Sequence, residues 1–124
     1  MSTVNLMEPP DARAIDRGLQ LFADVARRRY DNGIRGVYLF GSRARGDHSP
    51  FSDVDVAIVV DDAIDISSET VPLSSAAYDV LLETGAEVQP WVFHEADWER
   101  PEVSPAGSLI RSAKRDARVI WTPS

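Results

Sequence analysis

The sequence predicts one α/β domain in which helical and strand patterns alternate, and three observations carry that reading. Apolar residues recur at helical spacing up to Tyr30, and Val54 to Val60 is apolar except for one aspartate. At 124 residues the chain can bury one core but not two.

The elements follow in order. Residues 1–10 end in Pro9-Pro10 and are expected to form a loose arm, with 11–124 as the single domain. Asp11 stands where a helix N-cap would be, Ile15, Leu19, Phe22, Val25/Ala26 and Tyr30 make one buried stripe, and Asn32-Gly33 supplies the stop. Gly36 to Phe40 reads as a short strand ending in Gly41-Ser42, and Asp53 to Val60 as a second strand after the loop 43–52. An acidic connection, 61–69, leads to a helix from about Leu73 to Thr84, with Ala77, Val80 and Leu81 inward and Gly85 as its end. Glu87 to Phe93 is a third strand, which Pro90 places at a sheet edge or a bulge. Trp98 is assigned to a short helix, Ser108 to Lys114 to an amphipathic helix carrying Leu109, Ile110 and Ala113, and Arg118 to Trp121 to a last strand.

Composition narrows the function classes. Thirteen basic against twenty acidic side chains give a net charge of −7, which repels polyanions and argues against general nucleic-acid binding. Arg27-Arg28-Arg29 is read as a solvated helix face. No apolar stretch approaches the roughly 20 residues that cross a bilayer, and MSTVNLMEPPDAR lacks the basic and apolar regions of a secretory signal, so neither membrane insertion nor export is expected. The absence of cysteine fits the cytoplasm.

The chemistry concentrates between Gly41 and Val60. Side chains alternate along a strand, so Asp53 and Asp55 share one face while Val54, Val56 and Ile58 take the other. Residues two apart lie roughly 6.5–7 Å from each other, close enough for two carboxylates to converge on magnesium, whose shell substrate phosphates would complete. Gly41 lets backbone N–H groups approach an anion with no Cβ in the way, and Ser42 adds a hydroxyl. If Arg43 to Arg45 form a first helical turn, its free N–H groups face the same phosphates. Arg43 and Arg45 either add a charged contact or point to solvent; the sequence leaves both open. Gly-Ser alone is commonly a turn and Asp-x-Asp alone a solvated strand end, but ten residues apart, in the order strand, Gly-Ser, loop, Asp-x-Asp, apolar strand, each part has a purpose.

Gly41-Ser42, Arg45-Gly46 and Asp53-x-Asp55 resemble the motif of the DNA polymerase beta superfamily of nucleotidyltransferases, in particular its minimal members. The resemblance implies a small mixed sheet with helices packed against it, magnesium, and attack of an acceptor hydroxyl on the α-phosphate of an NTP. By the same resemblance Gly41 and Ser42 hold the outer phosphates and Asp53 and Asp55 hold metal. Active members add a third carboxylate from a later strand; here Glu87 is the available one, since Gln89 on the same face is neutral. Asp79, Glu83 and Asp97 are read as helix-surface residues and His48 as a loop residue near nucleotide.

Two functions follow from the resemblance. The first is transfer of NMP, AMP from ATP, to a hydroxyl of a partner protein, because the chain has little left to build a small-molecule acceptor site; minimal nucleotidyltransferases resemble antitoxins of helical HEPN-type toxins. The second is a degenerate binding module acting on nucleotide or partner, or as a homo-oligomer. Trp91, Trp98 and Trp121 are its candidate anchors, with core packing assigned to at least two of them.

Overall fold

Ile15, Leu19, Phe22, Ala26 and Tyr30 fall on one side of the first helix, α1 (Ala12–Tyr30), and all five are buried. These positions belong to a computed structural model that describes residues 4–124. Residues 1–3 of the expected arm lie outside the described residues; within 5–9 the Asn5 side chain accepts from the Met7 N–H and most of the surface is exposed. Asp11 caps α1 as expected, its carboxylate accepting from the Ala14 N–H at 2.8 Å. The stop comes earlier than Asn32-Gly33: Asp31 takes a positive φ of 48° and bonds back to Arg27.

The remaining elements are β1 (Ile34–Phe40), α2 (Ser42–Arg45), β2 (Val54–Val60), α3 (Thr70–Thr84), β3 (Val88–His94), α4 (Glu95–Glu99), α5 (Gly107–Asp116) and β4 (Arg118–Trp121). The strands form one mixed sheet in the order β3-β2-β1-β4. β1 is antiparallel to β2 and β4, and β2 is parallel to β3, the return between them being carried by α3.

Alternation along the strands sorts the core into two layers. Val37, Leu39, Val54, Val56, Ile58, Val60 and Val88 pack beneath α1 and α3. Phe40, Ala57, Val59 and Phe93 face the other way, onto Trp98, Ile110 and Ala113 of α4 and α5. Asp55 lies opposite Phe40 and between Val54 and Val56, so it belongs to this second face, at its uncovered end.

β3 is an edge strand, as Pro90 predicts. The Val54 N–H donates to the Glu87 carbonyl at 2.8 Å, so odd-numbered β3 residues bond inward. Pro90 therefore turns its missing N–H to the free edge, where it removes no ladder bond and blunts edge-to-edge pairing.

Candidate active site

The site forms where β1 ends and β2 and β3 begin. Phe40 of β1 is in register with Asp55, and Asp55 with Gln89, so a row crosses three strands at the open end of the sheet. Gly41 directly follows this row with φ 77° and ψ −158°, a conformation essentially restricted to glycine. A Cβ there would collide with Asp55 Oδ2.

α2 is a single turn, and its N–H groups at Ala44 and Arg45 return to the Gly41 carbonyl at 3.1 Å. The expected helical turn after Gly41-Ser42 is present, with Ser42 as its first residue. Both arginines, left open by sequence, are engaged within the protein. Arg43 donates to the carbonyls of Ser52 (2.9 Å) and Pro50 (3.1 Å), which closes the loop 43–52 and delivers Asp53 beside α2. Arg45 donates to Asp47 and to Asp116 at the end of α5, at 3.1 and 2.8 Å.

Electrostatics set the two aspartates apart. Asp53 is exposed, whereas Asp55 is half-buried. Burial pushes the Asp55 carboxyl above its ordinary range and the neighbouring Asp53 charge pushes the same way, against the Trp91 indole N–H and the Arg45 charge. The Arg43 guanidinium is lowered by burial, with the Asp53 charge opposing. A half-buried carboxylate beside a like charge gains from a cation, and hard oxygen donors suit magnesium, so the pair fits that ion.

The structure does not bring Glu87 to the aspartates. It is the last residue before β3, and it lines a groove with Ser74, Tyr78 and Leu81 of α3. Among the described residues no three His, Cys, Asp or Glu side chains gather to hold an ion. The strand position facing Asp55 belongs to Gln89, which sequence reasoning set aside because it is neutral. His48 is exposed in its loop, and His94 bonds the Ile64 carbonyl at 2.7 Å.

One further expectation needs adjustment. Arg29 is not a free surface charge: it pairs with the buried Glu69 at 2.7 Å, which also accepts from Tyr30 Oη at 2.7 Å. Of the tryptophans, Trp98 is buried, Trp121 is partly buried under the Arg27 guanidinium, and Trp91 is the exposed one. Trp91 also reaches the site, its Nε1 lying 3.4 Å from Asp55 Oδ1. Its odd position on β3, two beyond Gln89, was the available signal.

Comparison with known proteins places the chain in a family. Residues 19–105 match the sequence profile of the nucleotidyltransferase domain family. A protein of Methanocaldococcus jannaschii whose name proposes it as a protein adenylyltransferase is 26% identical over 106 residues, spanning 86% of this chain and 97% of that protein. A crystal structure of a proposed nucleotidyltransferase from Sulfolobus solfataricus superposes with a TM-score of 0.55 at 21% identity, over 98% of this chain and 92% of that one. A toxin–antitoxin structure with AMP-PNP superposes with a TM-score of 0.57 at 16% identity, over 83% and 73%. At these identities the structural likeness carries the fold. No described helix is long and apolar enough to cross a membrane.

Proposed function

The chain belongs to the nucleotidyltransferase domain family, and from that premise we propose that it moves AMP from ATP to a hydroxyl of a partner protein at the Gly41–Asp55 site. The observation that carries this reading is the contact of Asp55 Oδ2 with the position where Gly41 lacks a Cβ. It sets the carboxylate directly against the glycine that begins the turn of α2.

Asp53 and Asp55 would hold magnesium, which when bound supplies positive charge against the triphosphate. Gly41 would let the outer phosphates approach the backbone with no Cβ in the way, and Ser42 Oγ and the first amides of α2 would donate to them. Arg43 keeps the loop closed so that Asp53 stays beside them. In the transfer the acceptor oxygen bonds to the α-phosphorus as the bond to the β-phosphate oxygen breaks and pyrophosphate leaves.

A protein acceptor is supported by the name of the archaeal relative, and a toxin as that acceptor by the toxin–antitoxin neighbour. A HEPN-type toxin met in the cytoplasm is the specific form of this reading. The test is incubation of the chain with labelled ATP, magnesium and the protein encoded beside it: label should move to that protein, and Asp53→Asn with Asp55→Asn should abolish the transfer.

Gln89 opposite Asp55 favours a second reading, a binding module that keeps nucleotide but lacks a third carboxylate. Nucleotide binding without transfer to any co-encoded partner would establish it.

A further inference from the structure

We propose that Trp91 is a positioning residue for Asp55: its indole N–H holds one carboxylate oxygen so that the other stays turned toward Gly41. The inference rests on the reading of Asp55 as a magnesium ligand.

Three observations support it. Trp91 is in register with Ala57, so it shares the sheet face of Asp55 one step along, and its ring must lean toward the strand starts to place Nε1 3.4 Å from Oδ1. The ring is held there edge-on by buried Phe40, centroids 6.5 Å apart at 61°, and Phe40 is the residue immediately before Gly41. With Oδ1 engaged by the indole, Oδ2 is the oxygen that leans on Gly41.

The chemistry of indole suits this task. Its N–H donates and never accepts, so it cannot bind the cation or withdraw it from the carboxylate. Partners that orient metal-ligating carboxylates are worth roughly 10–100-fold in metal affinity. Where no third carboxylate joins the pair, the orientation of each of the two matters more.

The experiment is calorimetry of the full chain with magnesium chloride alone, and separately with ATP in the absence of metal. Trp91→Phe keeps an aromatic ring against Phe40 and removes the donor. It should weaken magnesium binding roughly tenfold, leave metal-free ATP affinity and Tm near wild type, and be partly rescued in Trp91→His, whose ring N–H donates. Unchanged magnesium affinity in Trp91→Phe overturns the proposal. A loss of metal-free ATP binding as large as the loss of magnesium binding also overturns it, and marks the ring as a nucleobase surface instead. Asp55→Asn separates the underlying reading: if it binds magnesium as wild type does, Asp55 is no ligand and the metal site itself is misplaced.

Discussion

Burial of the Asp55 carboxylate opposes folding in the absence of metal. Its folded pKa lies above the unfolded value of about 3.9, so the folded state prefers the protonated form. The resulting stability is fully present below the unfolded pKa and is lost as pH rises through the folded one. Asp55→Asn should therefore raise Tm at pH 7 without metal, and the gain should vanish near pH 3; thermal melts across that range check it. A fall in Tm at pH 7 would mean that the carboxylate is structural. Ser42 allows a cleaner test of the cradle than Gly41. Any side chain at Gly41 meets both a glycine-only conformation and Asp55 Oδ2, so Gly41→Val confounds binding with folding. Ser42→Ala leaves the backbone alone and should weaken ATP binding by about 1 kcal/mol, roughly fivefold, in a titration with magnesium present.

At the scale of elements, side chains from distant positions fix what the backbone leaves loose. The loop 43–52 has few backbone bonds of its own, and Arg43 closes it through two carbonyls. Arg43→Ala should speed amide exchange across 46–52 and lower stability by about 1–2 kcal/mol, the range for charge-assisted hydrogen bonds less partial solvation. Slow exchange retained in the variant would show that the loop holds itself. Glu69 ties the end of α1 to the start of α3. The Arg29 partner holds the Glu69 carboxyl below its ordinary range, and the Tyr30 hydroxyl adds to this against burial. The folded pKa is thus depressed, so the stability Glu69 contributes is present above the unfolded value of about 4.3 and lost as pH falls through the folded one. Glu69→Gln should cost about 2 kcal/mol at pH 7 in denaturant melts, less than a fully buried pair because Arg29 remains 38% exposed. The difference from wild type should begin to narrow below the unfolded value and close only once the pH has fallen past the folded one.

For the molecule as a whole, the two faces of the sheet have different tasks. α1 and α3 cover one face along its length, whereas α4 and α5 cover only part of the other, burying Phe40 but leaving Gln89 exposed and Asp55 half-buried. Trp98 anchors that shorter layer, stacked 5.1 Å from Tyr38 and 5.8 Å from Phe93, with Lys114 donating to its carbonyl. Trp98→Ala should cost about 3–5 kcal/mol by leaving a cavity, measured by chemical denaturation. A cost near 1 kcal/mol would mean that the layer collapses readily onto the sheet.

The cap at Asp11, the buried stripe of α1, β2 with Asp55 inside it and Asp53 just before it, the edge position of β3 and the last strand were all legible in the sequence. Each depends on local chemistry, namely side-chain capping, a period of two or 3.6 residues, or the missing N–H of proline. The same locality placed Gly41-Ser42 and Asp53-x-Asp55 in one site, because the loop between them is short. What only the tertiary structure decided lies across strands and between distant elements: Gln89 rather than Glu87 faces Asp55, Trp91 reaches its carboxylate, and Arg43, Arg45 and Arg29 are engaged by Ser52, Asp116 and Glu69. Alternation within β2 and β3 fixes the face each residue takes, but which β3 residue stands opposite Asp55 depends on how α3 packs over the 27-residue return, 61–87.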